Sequence, residues 1–372
     1  MRILHLISSS GYYGAENMLL TLAKGLRNVG CSSVIGVFQN SHNPNQELAV
    51  RARTQRLETL IVACRGKVDL GTIRFLHNYI KRHEINVVHT HGYKANLYGL
   101  LASRGLSVPI IATCHNWTRQ TIALRIYACL DILILKRFAK VVSVSMDVAE
   151  RLRAGGLRDQ RVTVIHNGVE VCAKDEKNEK HVSCDFSTNE TVIGAVGRLV
   201  PEKGFQYLFQ AAPTIIEKFP HVKFLIIGEG PFRKELEDLS RDLGIQSHVV
   251  FTGKREDMKA LYDRMDIFVL PSLNEGMPMS ILEAMAAQRP VIGTAVGGVP
   301  ALVIPEQTGL LVQPADSAGL TGALIRLMND SDLRTSLAER AHKLVFENYS
   351  AQSMTTKYCS LYDEIIRPRL VA

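Results

Sequence analysis

The sequence predicts an α/β protein made of two doubly wound domains. At 372 residues the chain exceeds the roughly 250–300 at which one hydrophobic core stops growing. Short β-branched and aliphatic runs alternate with helix-length segments through both halves, the signature of parallel sheets covered on both faces. Between the halves lies a polar stretch with no apolar period, opening with Lys174-Asp-Glu-Lys-Asn-Glu-Lys-His.

In the first half the predicted strands are 3–7, 34–38, 87–89, 109–113, 141–144 and 162–165, with helices between them. In the second half they are 192–196, 223–227, 249–252, 267–270 and 291–293. The expected division is a first domain over 1–173, a linker over 174–190, a second domain over 191–349, and a C-terminal helix over 350–372 that returns to the first domain. Two such domains place ligands at the carboxyl ends of their sheets, facing across a cleft.

Hydrophobic content of 46% with 22% charged residues is ordinary for a globular protein, and no run approaches the ~18–20 apolar residues of a membrane span. The segment from Met1 to Gly11 contains His5 and lacks a signal-peptidase-like site, so it reads as a first buried strand and places the protein in the cytoplasm. Seven dispersed cysteines, an odd number without a C-x-x-C pair, read as reduced thiols.

The net charge of +8 is unevenly spread. Residues 1–173 hold 22 Lys and Arg against 10 Asp and Glu, and the remainder holds 22 against 26. The basic half fits an anionic partner, such as a membrane surface, a lipid phosphate or an acidic polymer, or else an uneven solvated surface. Within it, the segment 119–140 sets Arg119, Arg125, Lys136, Arg137 and Lys140 among apolar residues. It reads either as a peripheral membrane-contact helix or as a buried connecting helix with snorkelling cations; Asp131 in its middle opposes deep insertion.

The chemistry concentrates in two clusters. After the strand 267–270 comes Pro271-Ser-Leu-Asn-Glu275-Gly276-Met277-Pro278-Met279-Ser280, with Pro278 placed as the first residue of a new helix. The amides of Met279 and Ser280 then lie at the positive end of a helix dipole, where a diphosphate fits. Glu275 precedes that helix and Glu283 lies inside it, about 7–8 Å along the axis from Pro278 at ~1.5 Å per residue. Carboxylates so placed can grip a sugar on one side of a diphosphate and a ribose on the other; alternatively Glu275 serves the helix dipole and Glu283 is solvated. The second cluster, Gly194 to Phe205, carries Arg198 and Lys203 on a loop after a strand, either as phosphate ligands or as exposed loop cations.

Together these clusters resemble the retaining glycosyltransferases of family 4, group 1, with a Glu-x7-Glu motif and the GT-B fold of two Rossmann-like domains with the active site in the cleft between them. The resemblance extends through Gly14-Ala-Glu16, Thr113-Cys-His115-Asn116, Val142-Ser-Val-Ser145, Ile165-His-Asn167-Gly168, Gly228-Glu-Gly230-Pro231, Gly297-Gly298-Val-Pro300 and Thr308-Gly309. It implies that Glu275 binds a donor-sugar hydroxyl, that Glu283 binds the ribose diol, and that amides at Gly276, Met277, Met279 and Ser280 reach sugar and phosphate. Arg198 and Lys203 would hold the diphosphate, Gly14 would let the backbone approach it, and His115 would stand close to the reacting sugar. The chain departs from the pattern at Tyr12-Tyr13-Gly14, where paired glycines are usual, at Pro278, and at Ala301; these bear on the donor sugar.

The expected function is transfer of a hexosyl unit, with retention, from a nucleoside-diphosphate sugar to a lipid-linked or polysaccharide acceptor in cell-surface glycan biosynthesis. The alternatives are a GT-B sugar-nucleotide epimerase and a non-catalytic scaffold. No cofactor, metal or nucleic acid is expected: Gly228-x-Gly230 lacks a third glycine, and no Walker-type loop occurs. His89 and His91 share a strand face with no Cys or carboxylate placed to complete a metal site, and Asp330-Ser-Asp332 reads as helix capping.

Overall fold

The computed structural model describes the chain except residues 9–10, 13, 41–45, 67, 116–121, 171–185, 188 and 367–372, and of residues 40 and 122–127 it describes the backbone. The chain divides into two compact units, one of Met1–Gly168 with Ala351–Ala372, the other of Val169–Ser350.

The first unit begins with β1 (Arg2–Ile7), α1 (Gly14–Asn28), β2 (Ser32–Asn40), α2 (Glu47–Thr54), β3 (Glu58–Cys64) and α3 (Leu70–Arg82). It continues with β4 (Val87–His91), α4 (Tyr93–Ala102), β5 (Ile110–Cys114), α5 (Ile122–Leu135), β6 (Lys140–Ser143), α6 (Met146–Ala154) and β7 (Val162–Val164). The second unit comprises β8 (Thr191–Val196), α7 (Phe205–Lys218), β9 (Val222–Ile227), α8 (Arg233–Asp242), β10 (Val249–Gly253) and α9 (Met258–Arg264). There follow β11 (Ile267–Leu270), α10 (Met279–Ala286), β12 (Val291–Thr294), β13 (Leu310–Val312), α11 (Ser317–Asn329) and α12 (Ser331–Asn348); α13 (Ala351–Ile366) belongs again to the first unit.

The strand order is β3-β2-β1-β4-β5-β6-β7 in the first sheet and β10-β9-β8-β11-β12-β13 in the second, all pairs parallel. In each sheet the order reverses once, between β1 and β4 and between β8 and β11. Those reversals are where the loops leaving neighbouring strands diverge and open a crevice. The predicted fold class is therefore present, two Rossmann-like sheets in tandem. Every residue of β4, β5, β11 and β12 is buried, which explains their unbroken apolar character.

Two strands escaped the sequence reading. β3 lies at a sheet edge and is only partly buried, although it carries an apolar run from Leu60 to Cys64 like those of its neighbours. β13 is three residues long, too short for a periodic signal. The segment 119–140 is also only partly as expected. Arg119 and the side chain of Arg125 lie outside the described residues; of α5, Ala128, Asp131, Ile132 and Leu135 are buried. Leu130 and Leu133 are exposed, as are Lys136 and Arg137 beyond the helix end, while Lys140 pairs with Glu364 of α13 at 2.9 Å. Most of the polar stretch 174–190 lies outside the described residues. Asp330 caps α12, its Oδ1 accepting from Leu333 N at 2.8 Å. Among the described residues no helix is long and apolar enough to cross a membrane.

Candidate active site

In the second unit the loops leaving β8 and β11, the two strands at the reversal, are bound to each other. After β8, Gly197 N donates to Ile227 O at 3.0 Å and Leu199 N to Glu229 O at 2.9 Å, fixing the loop that carries Arg198 against the next strand's exit. A short 3₁₀ turn, Pro201–Lys203, then sets Lys203 just ahead of α7, and Glu202 O accepts from Leu273 N at 2.8 Å across the reversal. The outcome is direct contact between the two clusters: Lys203 Nζ stands 2.5 Å from Glu275 Oε1, which also accepts from Ser272 Oγ at 2.7 Å. Glu275 is buried, 7% exposed, so its charge is held by these two donors rather than by bulk water.

A third loop closes over Glu275 from behind. Gly298 N donates to Gly276 O at 2.9 Å, and Gly297 sits at φ +51° with Glu275 O where a Cβ would have to stand, 1.8 Å away. Only glycine fits there, since any side chain would push the Glu275 carbonyl out of place. Ser272 is held in turn, its carbonyl accepting from Thr294 Oγ1 at 2.5 Å.

The helix that follows begins one residue later than the sequence suggested. Pro278, at φ −74° and ψ 112°, is the N-cap, and α10 starts at Met279. The extended ψ of Pro278 keeps it outside the helix while its carbonyl accepts the first intrahelical bond, from Leu282 N. The N–H groups of Met279 and Ser280 thus remain in the first turn with no intrahelical acceptor. Met277 and Met279 are buried, and Ser280 is half-buried. Further along α10, Glu283 Oε2 accepts from the phenol of Tyr262 on α9 at 2.9 Å. Burial and the Glu283 charge push the Tyr262 hydroxyl well above its ordinary value, so it stays a donor. Sequence reasoning missed Tyr262, which belongs to no local motif and reaches Glu283 only through tertiary packing. Arg198 is exposed.

In the first unit, His115 follows β5 and Gly14 opens α1. His115 is half-buried and its Nε2 lies 3.5 Å from His91 Nδ1. His91 Nε2 is 3.3 Å from Nδ1 of His5, the residue on β1 that pairs across the sheet with His89. Burial lowers His115 to about 4 and His5 to about 3, and holds His89 and His91 well below their ordinary value. These rings are therefore neutral at physiological pH. His5 joins His89 and His91 in a triad whose ring nitrogens lie within 4.8 Å of one another, a neighbour the sequence could not show because it arrives from another strand. Both nitrogens of His89 are already engaged, Nδ1 with Tyr362 Oη and Nε2 with Thr113 Oγ1, each at 2.8 Å. That leaves His89 no lone pair directed at the other two rings.

Residues 12–171 match the family Glycosyltransferase Family 4, and residues 190–330 match Glycosyl transferases group 1. The chain belongs to this glycosyltransferase family. Among curated relatives, the Escherichia coli UDP-Gal:alpha-D-GlcNAc-diphosphoundecaprenol alpha-1,3-galactosyltransferase is 28% identical over 311 residues, 80% of each chain. A D-inositol 3-phosphate glycosyltransferase from Corynebacterium efficiens is 26% identical over 76% of this chain and 72% of its own. Among solved structures, Anabaena Alr3699/HepE in complex with UDP-glucose superposes with a TM-score of 0.83 at 22% identity, covering 98% of this chain and 100% of that one. Sucrose-phosphate synthase from Thermosynechococcus elongatus gives 0.81 at 20% identity over 99% and 100%. The glycosyltransferase fold is thus GT-B, and the activity is glycosyl transfer.

Proposed function

We propose that this glycosyltransferase moves a hexosyl unit, with retention, from a nucleoside-diphosphate sugar to a hydroxyl of a lipid-linked or polysaccharide acceptor in cell-surface glycan assembly. The observation that carries the reading is the Lys203–Glu275 pair beside the first turn of α10 at the β8/β11 reversal. A diphosphate there meets the amides of Met279 and Ser280 and the cations of Lys203 and Arg198, and amides at Gly276 and Met277 extend the cradle toward the sugar. Glu275, fixed by Lys203 and Ser272, accepts from a donor-sugar hydroxyl and faces the positive charge that develops as the glycosidic bond breaks. Glu283, oriented by Tyr262, accepts from the ribose diol. Gly14 and His115 are assigned to the same donor by the family pattern, and the departing phosphate takes the acceptor proton. The lipid-linked acceptor in the name of the Escherichia coli relative and the UDP-glucose bound to the Anabaena neighbour support this choice of substrates.

The reading requires no metal ion, because cationic side chains and helix amides stand where a divalent ion would otherwise neutralise the diphosphate. The protein would work at the cytoplasmic face of the membrane as a peripheral enzyme. The test is a panel of UDP-, GDP- and ADP-sugars in excess EDTA. One nucleotide family should raise Tm, with ~2.7 kcal/mol of stabilisation at about 100 times its Kd, and turnover should persist. Activity lost in EDTA and restored by Mg²⁺ or Mn²⁺ would overturn this site.

A further inference from the structure

Two cysteines meet where the C-terminal helix seats on the first unit. Cys31 follows α1: the chain turns at Gly30, whose φ is +77°, and Cys31 N reaches back to Leu26 O at 2.9 Å, a bond pattern that closes a helix end. Ser32 N then donates to Met1 O at 3.0 Å as β2 begins, so the Cys31 backbone is held on both sides. On α13, Thr355 faces Gly25 of α1 so closely that a side chain at Gly25 would collide with it, and Cys359 lies one turn further along the same helix face. Both cysteines pack against the apolar cluster that α13 shares with Ile3, Met18 and Val87, and both are only half-buried, within reach of solvent. Burial pushes the Cys359 thiol up to about 11, and the Cys31 thiol beside it acts in the same direction by charge and by hydrogen bonding. The Tyr362 hydroxyl, raised chiefly by burial, also feels the charge of both cysteines, so the pair lies beside one side chain of α13. Of the other described cysteines, Cys64 and Cys114 are buried and Cys129 is exposed on α5.

We propose that Cys31 and Cys359 form a reversible modification site, a thiol pair that closes into a disulfide and staples α13 to the body of its own unit. The oxidant it takes is a small-molecule disulfide such as oxidised glutathione. Cys359 keeps its proton at neutral pH, so Cys31 supplies the attacking thiolate. Its sulfur bonds to one sulfur of the oxidant, whose S–S bond breaks and releases one small thiolate. Cys359 then gives its proton to solvent and its sulfur attacks Cys31 Sγ, breaking the mixed disulfide and releasing the second small thiol. The two protein sulfurs lose two electrons, and the oxidant gains them and leaves as two thiols. The second step joins groups already side by side on packed elements, so it needs no further encounter. In a reducing compartment the pair rests as thiols and closes only under oxidative load. The loop closed, from residue 31 to residue 359, contains the whole second unit. A cross-link there restricts the unfolded chain strongly and ties the helix that returns last to the elements it covers.

The test is oxidation of the folded full chain in glutathione buffers of rising oxidised fraction, followed by alkylation and peptide mass mapping. One linked pair of peptides, carrying Cys31 and Cys359, should dominate the links made by either cysteine, and dithiothreitol should separate it. The same oxidation in urea should lose this preference, because only the folded chain brings the two thiols together. Oxidised wild type should melt above its reduced form, whereas Cys31→Ser and Cys359→Ser should each abolish both the link and the shift in Tm. Absence of the linked pair from the folded chain, links from Cys31 or Cys359 to other cysteines in comparable yield, a link that forms as readily in urea, or an oxidised form that melts no higher than the reduced one would overturn the inference. The mapping and the melt both use the wild-type chain, so they decide the matter even where a serine variant does not fold.

Discussion

Glu275 is held by Lys203 and Ser272 while Gly297 supports its carbonyl, an arrangement that fixes a buried charge before any ligand arrives. Glu275→Gln keeps the shape and removes the charge, so kcat should fall by about 10²–10³, the range seen when one stabilising group is removed from a developing charge. Bare nucleoside diphosphate should bind as well as before or better, because Lys203 loses its competitor. An unchanged kcat would end the role proposed for Glu275. Glu283→Ala should instead weaken the bare nucleotide, and calorimetry showing equal affinity would remove Glu283 from the ribose. The buried imidazoles make a separate prediction about stability. His5 titrates near 6.5 when unfolded and near 3 when folded, so below 6.5 the unfolded chain binds the extra proton. Its contribution is complete above pH 6.5 and is lost as pH falls toward 3, amounting to about 2 kcal/mol by pH 5 at ~1.4 kcal/mol per pKa unit. Urea midpoints measured at pH 7.5 and 5 should show the fall; equal midpoints would mean that these rings are not buried neutral.

The helix α13 closes the first unit, although the whole second unit separates it in sequence from the rest. Its Met354, Tyr358, Leu361, Tyr362 and Ile365 join Ile3, Met18, Leu22, Val87 and Ile111 in one apolar cluster, and its two tyrosines bond Thr113 and His89 on the sheet. It approaches α1 so closely that a Cβ on Gly25 would stand 2.0 Å from Thr355 Oγ1. Gly25→Ala should therefore destabilise the first unit by about 1–3 kcal/mol through overpacking, despite alanine's better helix propensity. A melting temperature equal to or above wild type would show that α13 does not seat there. The fully buried strands and the loop residues between Arg198 and Glu283 were legible because each carries its signal locally, as an apolar run or as a strand–turn–helix motif. The run from Leu60 to Cys64 of β3 carries that same local signal although the strand lies at a sheet edge, whereas Tyr262 and His5 carry none, because their partners come from other elements. The start of α10 was misplaced by one residue because proline is at home on either side of a helix boundary.

Charge differs between the halves of the chain: +12 over residues 1–173 and −4 over the rest. We expect the basic half to dock weakly on anionic membranes, with exposed Leu130 and Leu133 next to Lys136 and Arg137 as the contact. Each cation contributes ~1 kcal/mol near such a surface, and the attraction decays over about 8 Å at physiological salt. Sedimentation with anionic liposomes should show binding at low salt that high salt abolishes and that Lys136→Ala with Arg137→Ala weakens. Indifference to anionic lipid at low salt would leave the charge without this role. Lys140, tied to Glu364, should matter less than the other two. The return of α13 to the first unit also bears on how the protein is made. The second unit is continuous in sequence and can close as soon as it emerges, but the first stays without its covering helix until all of the second has been translated. At ~5–20 residues per second that interval is about 10–40 s, during which Ile3, Val87 and Ile111 await their partners, so this half of the nascent chain is the one most in need of a chaperone.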